Sequence, residues 1–286
     1  MVEQIDVRHL RRERVIAAHL VRDLLVDPGP ASALENWIDG LEVEPRALLL
    51  THIHLDHAGA AGVLVRRIPG LRVYVSEVGA PHLADPSKLL ASAGRLYGEQ
   101  NMARLWGEVA PVPERNIVTL ADGDEVEGFR VAHTPGHARH HLTYLDLDAG
   151  DAFVGDMAGV RIPPGDFTIA PTPPPEIEVE AWLRSVDRIE AMRPQRLRLT
   201  HFGLVEDPGA QLERLRASLR TLAERARGGD REVFLERLRA EVRSHGDAET
   251  AESTLQAVPP EQAWLGLERY WRKRGEAGRR GAAAAG

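Results

Sequence analysis

One short stretch of the chain is rich in side chains that bind metal ions. Residues 51–57, with the sequence THIHLDH, place three imidazoles and one carboxylate within six residues. His52 and His54 are two apart and would share one side of an extended segment, whereas Asp56 and His57 follow where a turn begins. A single histidine there would more often be an ordinary surface or strand-capping residue. The whole cluster instead favours a metal centre, and four ligands from one loop can serve two neighbouring ions.

Three more polar residues each follow a segment that is predicted to be a strand. His137 ends the sequence TPGH, Asp156 follows FVG, and His201 follows LT. Each lies where a strand would deliver a side chain to the edge of a sheet. Taken singly, such residues are more often turn histidines or a helix-capping aspartate. Their order after the first cluster favours metal binding.

Strands and helices alternate over most of the chain and must position these residues. Hydrophobic periodicity and Gly, Pro and Asp-Gly breaks predict strands at residues 15–21, 23–27, 46–50, 71–75, 117–120, 125–133, 142–147, 152–154 and 196–199. The same patterns predict helices at 31–40, 59–68, 176–192, 207–227, 232–244 and 260–273, with a helical region over 81–109. Residues 162–175 contain six prolines and are predicted to be a long loop beside the site.

Composition narrows the classes of function. With 286 residues, of which 43% are hydrophobic, the chain can bury one large core. It has no cysteine, which excludes disulfides, thiolate ligands and a cysteine nucleophile. The net charge of −7 makes nucleic acid a weaker partner than a small molecule. No apolar segment resembles a signal peptide or membrane span, so we expect a cytoplasmic protein.

The order of the seven residues, H-x-H-x-D-H followed by His, Asp and a late His, resembles the metallo-β-lactamase superfamily. The resemblance covers about Val15 to Gly203, and residues 25–29 (LVDPG) are similar to an early Asp-containing element of that family. It implies an α+β fold, a four-layer αβ/βα sandwich with the metals at one edge. We expect a catalytic domain at 1–227, a C-terminal helical extension at 228–274 that caps the pocket or supports a homodimer, and a disordered tail at 275–286.

The resemblance also assigns a role to each residue. It implies that His52, His54 and His137 bind one metal ion, that Asp56, His57 and His201 bind a second, and that Asp156 bridges both. Asp27 would support the ligands from behind. An imidazole-rich set with some carboxylate suits zinc, although iron and manganese accept the same donors.

The expected chemistry is hydrolysis by a hydroxide that bridges two divalent metal ions, since such ions lower the pKa of bound water. Asp56 would orient this nucleophile and shuttle a proton. A small ester, thioester or lactone is the expected substrate. β-Lactamases with a cysteine ligand at the position of Asp156 are excluded, because the chain has no cysteine.

Members of the superfamily with other activities remain as alternatives. The TPGH sequence is similar to that of glyoxalase II, but residues 138–141 (ARHH) depart from its small-residue continuation, and no Lys/Arg set for glutathione is evident. Persulfide dioxygenases, which use one iron ion, are an alternative from another reaction class. Phosphodiesterases and nucleases such as ribonucleases Z and J are a further alternative, which the acidic net charge disfavours.

Residues close to the proposed ligands in sequence are candidate substrate contacts. Each also has an ordinary role open to it, as a packing aromatic, a loop charge or an exposed imidazole. The candidates are Tyr97, Arg139, His140, His141, Arg161, Phe167 and Phe202.

Overall fold

Two six-stranded sheets form the centre of the molecule in the computed structural model, which describes the backbone of residues 2–284 and the side chains of residues 2–276. The strands of the first sheet, in spatial order, are β1 (Val2–Asp6), β2 (Ala17–Val21), β3 (Leu24–Val26), β4 (Ala47–Leu49), β5 (Arg72–Ser76) and β6 (Ile117–Leu120). The strands of the second sheet are β7 (Glu125–Val126), β8 (Phe129–His133), β9 (Leu142–Asp146), β10 (Asp151–Gly155), β11 (Arg196–Leu199) and β12 (Gly203–Val205), in spatial order from β7 to β12.

Helices cover the outer face of each sheet. They are α1 (Leu55–Ala58), α2 (Ala61–Arg67), α3 (Ala80–Ala84), α4 (Ser87–Tyr97), α5 (Glu99–Trp106), α6 (Val179–Ala191), α7 (Pro208–Ala226), α8 (Arg231–Ser244), α9 (Ala248–Ala257) and α10 (Pro260–Ala284). None of the helices within the described residues is long and apolar enough to cross a membrane.

Three hydrophobic cores separate the four layers. Val26 and Leu49 of the first sheet meet Phe129 and Tyr144 of the second in a core between the sheets. A second core joins the first sheet to α2, and a third joins the second sheet to α6, α7 and the C-terminal helices. This is the predicted α+β sandwich of the metallo-β-lactamase type. Because α8 to α10 share the third core, they pack directly on the layer formed by α6 and α7.

Sheet topology brings the ends of several strands to one edge. β3 and β4 are parallel, as are β10 and β11, so their carboxyl ends lie at the same edge of each sheet. β8 runs antiparallel to β9, which runs antiparallel to β10, so β8 also ends at this edge. The predicted ligands follow these strands, and the fold therefore gathers them at one edge.

Some local predictions were wrong. Residues 31–40 form two short 3₁₀ turns rather than one helix, because the backbone at Trp37 leaves the helical region with φ −141°. Residues 125–133 form two strands that turn at Glu127 and Gly128, where φ is 54° and 84°. The 81–109 region divides into α3, α4 and α5, and the helix predicted from residue 176 begins at Val179.

Three elements gave too weak a sequence signal to be predicted. β1 is an edge strand with exposed Glu3 and Gln4, and β12 has three residues. α9 begins where the Asp247 carboxylate accepts a hydrogen bond from Thr250 N (2.8 Å), which is an ordinary N-cap. The tail predicted to be disordered, residues 275–286, lies largely outside the residues whose side chains are described. Its disorder stays a prediction, and so do the domain boundaries.

Candidate metal centre and adjoining cavity

The structure brings all seven predicted ligands together at the shared sheet edge. They form two adjacent groups, and within each group the ligand atoms lie within 4.8 Å of one another. We call them the first ligand group (His52, His54, His137 and Asp156) and the second ligand group (Asp56, His57 and His201).

Local backbone geometry explains why the first cluster converges. The chain leaves β4, and His54 adopts an extended conformation (φ −61°, ψ 150°) as the residue before α1. The amide of His57 then donates to the carbonyl of His54 (3.0 Å). The extended segment therefore presents the first two histidines, and the first turn of α1 presents Asp56 and His57.

Two glycines allow later ligands to approach closely. Gly136 has φ +142°, and a Cβ there would lie 2.2 Å from the Cα of Trp182 in α6. Gly155 has φ +47°, and a Cβ there would lie 2.5 Å from Thr51 Oγ1. A larger residue at either position would displace the neighbouring ligand, His137 or Asp156.

In the first ligand group, three imidazole nitrogens point at a common centre. His54 Nδ1 lies 2.9 Å from His52 Nε2 and 3.0 Å from His137 Nε2. Burial lowers the pKa of His54 to about 4 and, together with repulsion from the surrounding imidazoles, lowers the pKa of His52 well below its usual value. Burial also lowers the pKa of His137. These three rings are therefore neutral near pH 7, as metal binding requires.

In the second ligand group, carboxylates reverse this effect. Burial acts to lower the pKa of both His57 and His201, but Asp156 and Asp56 outweigh it and raise both values. His201 Nε2 lies 3.4 Å from Asp56 Oδ2. Burial acts to raise the pKa of both aspartates, but the histidines outweigh it and lower both. The carboxylates of this group thus favour a positive charge beside them.

Asp156 lies between the two groups. Its Oδ2 is 3.1 Å from His137 Nε2, while its Oδ1 is 3.3 Å from His57 Nε2 and 3.5 Å from His201 Nε2. One carboxylate therefore offers one oxygen to each ligand group.

Hydrogen bonds behind the ligands set which nitrogen of each ring faces the centre. Asp27 is fully buried, and its Oδ2 accepts from His57 Nδ1 (2.8 Å) and from Thr51 Oγ1 (2.6 Å). Because this hydroxyl donates to Asp27, it accepts from His52 Nδ1 (3.1 Å). His137 Nδ1 donates to the carbonyl of Pro171 (2.9 Å).

His201 is held in the same way, since its Nδ1 donates to the carbonyl of Val15 (2.6 Å). In the neutral rings that a metal ion binds, the Nε2 atoms of these four histidines then direct their lone pairs inward. Two buried atoms at the centre, His57 Nε2 and Asp156 Oδ1, have no hydrogen-bond partner within the described residues. Orphaned buried lone pairs are costly unless a cation is bound. The residues present therefore fit a divalent metal centre.

A cavity of about 240 Å³ opens onto this centre. Its floor includes Asp56, Asp156 and His140, and its roof is the turn between α9 and α10. The remaining walls come from α4 and the proline-rich loop before α6. The roof belongs to the C-terminal extension that was expected to cap the pocket or support a homodimer, and α4 belongs to the helical region predicted over 81–109, but the individual lining residues of both were not predicted.

The predicted substrate contacts lie in different places. Tyr97 lines the cavity. Arg139 is exposed and pairs with Glu176, and Phe167 stacks on His245 away from the centre.

His141 and Phe202 are buried and lie outside the cavity lining. His141 stacks under His52 with 4.9 Å between ring centroids, so it packs behind a ligand. Phe202 lies in the core beside α7. Arg161 donates to the carbonyl of Gly165 and also lies outside the cavity lining. His140, in contrast, lines the cavity, with its Nε2 3.7 Å from Glu176 Oε2.

Comparison with known proteins agrees with this geometry. The family model of the metallo-beta-lactamase superfamily matches residues 15–201. A metallo-beta-lactamase fold-containing protein of Sulfurisphaera tokodaii, ST1585, is 28% identical over 192 residues, which is 64% of this chain and 69% of that protein. A crystal structure of ST1585 from Sulfolobus tokodaii superposes with a TM-score of 0.70 at 21% identity, covering 93% of this chain and 97% of the other.

A hydroxyacylglutathione hydrolase of Xylella fastidiosa is 35% identical over 136 residues, which is 47% of this chain and 40% of that enzyme. The match thus spans less than half of either protein. A structure of TTHA1623 in a di-iron-bound form has a TM-score of 0.53 at 26% identity, covering 70% of this chain and 91% of the other. The family model covers residues 15–201, and the structure gathers the predicted ligand residues at one site. The chain therefore belongs to the metallo-β-lactamase superfamily of hydrolases.

Proposed function

We propose that this protein hydrolyses a small ester, thioester or lactone at a dinuclear metal site. The observation that carries the proposal is Asp156, whose two oxygens face the two ligand groups at 3.1 Å and at 3.3–3.5 Å. Complete donor sets on both sides of one carboxylate favour two ions over one. Zinc is the ion that this imidazole-rich set suits best, and the di-iron form of TTHA1623 makes iron the first alternative.

Divalent ions, when bound, lower the pKa of water and polarise an ester carbonyl. The chain itself supplies the orientation of every ligand and a cavity that holds substrate beside them. Asp56, with its side chain 25% exposed, is the carboxylate that a nucleophilic water entering from the cavity can reach, and we assign it the role of orienting that water and accepting its proton. The relatives that hydrolyse hydroxyacylglutathione support a thioester among the candidate substrates.

Elemental analysis of protein purified without added metal tests the site. We expect two equivalents of zinc per chain, and one equivalent of iron would instead favour the persulfide dioxygenase alternative. Asp156→Ala should lose both bound metal and hydrolysis of a panel of esters, thioesters and lactones. Asp148→Ala, at an exposed turn, is the matched control and should retain both. Retention of metal and activity by Asp156→Ala would refute the dinuclear assignment.

A further inference from the structure

One face of α4 lines the cavity and also contacts a small hydrophobic cluster around Leu55 and Trp106. Leu89, Ala93, Leu96 and Tyr97 follow the i, i+4, i+7, i+8 spacing of a single helix face, and all four line the cavity. Leu89, Leu96 and Tyr97 are only partly buried, which leaves part of their apolar surface facing the cavity. An apolar helix face beside a hydrolytic centre indicates a binding surface for an apolar part of the substrate.

The other walls are apolar as well. The loop opposite α4 contributes four prolines, and the roof contributes Ala257, Val258, Pro259 and Ala263. At about 30 Å³ for each water-sized group, 240 Å³ holds about eight non-hydrogen atoms. This corresponds to an acyl chain of about six to eight carbons.

Most polar side chains of the lining are already bonded to other protein groups. Gln256 accepts from Arg12 (2.9 Å) and donates to the carbonyl of His9 (3.0 Å). Gln262 accepts from Tyr97 (3.4 Å). Both ends of the Gln256 amide are therefore occupied, and the Gln262 oxygen is occupied by Tyr97.

Charge in the lining also argues against an ionic ligand. The chain has 36 lysines and arginines in all. Among the described residues, Lys88 is the only lysine or arginine that lines the cavity. It is exposed, at the start of α4. Glu176, a further charged lining residue, is held by Arg139 at 2.9 Å. Glutathione, which has two carboxylates and an ammonium group, would find one cationic side chain here.

We propose that the substrate is an ester or thioester of an uncharged, apolar acyl group of about six to eight carbons, which lies along α4. This rests on the proposed hydrolase function. In the reaction, the oxygen of water bonds to the acyl carbon, the bond from that carbon to the ester oxygen or thioester sulfur breaks, and the departing atom takes a proton. The products are a carboxylic acid and an alcohol or thiol.

The direct test compares p-nitrophenyl esters of two, four, six, eight and twelve carbons on zinc-loaded protein. We expect kcat/KM to rise about fourfold for each methylene that is buried and to fall beyond eight carbons. The mono-p-nitrophenyl ester of adipic acid, which ends in a carboxylate, should be at least tenfold poorer than the hexanoate. A flat series, or preference for the adipate ester, would overturn the proposal.

Variants of the cavity wall sharpen this test. Ala257→Leu, in the roof, should lower the ratio of octanoate to acetate kcat/KM at least tenfold, whereas Leu96→Ala should move the maximum to longer chains. Ala149→Leu, in the turn between β9 and β10 at the opposite sheet edge, is the matched control and should leave the ratio unchanged. An unchanged ratio in both wall variants would place the acyl chain elsewhere.

Binding of octanamide and acetamide, measured by calorimetry, separates this proposal from the proposed function. We expect octanamide to bind at least tenfold more tightly than acetamide and Ala257→Leu to remove this difference. If no ester is hydrolysed but this pattern is found, the cavity assignment stands and the hydrolase proposal fails. Equal binding of the two amides would overturn the cavity assignment.

Discussion

Asp27→Asn is the substitution that best separates ligand orientation from folding. The carboxylate accepts four hydrogen bonds, from Thr51 N (2.8 Å), Thr51 Oγ1 (2.6 Å), His57 Nδ1 (2.8 Å) and Thr200 Oγ1 (3.0 Å). Asparagine has nearly the same shape and tolerates the left-handed backbone found at this position, where φ is 48°. It replaces one acceptor oxygen with a donor NH₂ group.

The consequence depends on which oxygen is replaced. An NH₂ group at the Oδ1 position would face the amide of Thr51, which cannot rotate away. At the Oδ2 position it would face two hydroxyls that can rotate and His57 Nδ1, which can give up its proton. The second arrangement is therefore favoured, and the proton of His57 moves to Nε2, the atom that faces the second ligand group.

A hydrogen bond to a charged group contributes about 1.5–3 kcal/mol. Loss of a partner behind a metal ligand typically lowers metal affinity 10–100-fold, or about 1.4–2.8 kcal/mol, which is the same range. We therefore expect Asp27→Asn to weaken zinc binding 10–100-fold at the second ligand group and less at the first. Competition with a calibrated chelator would measure both affinities.

The matched control is Asp146→Asn, another buried aspartate, which accepts from the amides of Asp148 and Ala149 and pairs with Arg22 at the far end of β9. It should lower the free energy of unfolding without changing zinc affinity. If Asp27→Asn behaved like this control, with both zinc affinities unchanged, the argument that Asp27 sets the tautomer of His57 would be refuted.

Three further predictions concern the site. Burial acts to lower the pKa of His57 and His201, but carboxylates outweigh it and raise both values. Zinc binding near pH 7 should therefore release protons, which calorimetry would detect as a binding enthalpy that depends on the buffer. Absence of proton release would contradict the raised pKa values. For the same reason, protonated His57 and His201 should stabilise the metal-free protein. This contribution to the free energy of unfolding should be complete below about pH 6.5 and lost as the pH rises through the raised pKa values of the two histidines. Urea unfolding at several pH values would measure it. Gly136→Ala places a Cβ 2.2 Å from the Cα of Trp182 and should lower the free energy of unfolding by about 1–3 kcal/mol. Gly70→Ala, which has open space around it, is the control and should have little effect. Equal effects of the two variants in urea unfolding would rule out the close approach to Trp182 as the reason for glycine at position 136.

The seven proposed ligands could be predicted from the sequence, in part because their chemistry is encoded locally. Imidazoles and carboxylates that are clustered in one short loop indicate metal binding by themselves, whereas the single His and Asp residues after apolar strands indicate it only through their order behind this cluster. Buried strands such as β4 and β10 were predictable for a related reason, since a continuous apolar run between breaks has few other uses. β1, with two exposed polar residues, lacked that signal.

The substrate contacts could not be found by proximity in sequence. Arg139, His141 and Phe202 are each within five residues of a ligand, but chain direction sends the first to solvent and the other two behind the site. The cavity is instead completed by α4 and by the turn between α9 and α10, which lie far along the chain from His52.

The sequence by itself predicted the candidate ligand set and the layered fold, and it excluded cysteine chemistry. Only the tertiary structure decided which ring nitrogens face the centre, since that depends on carbonyls and carboxylates from distant strands, such as Val15 behind His201 and Asp27 behind His57. It also decided the shape and apolar character of the cavity. Those properties arise from packing between elements far apart in the chain, and no local pattern specifies them.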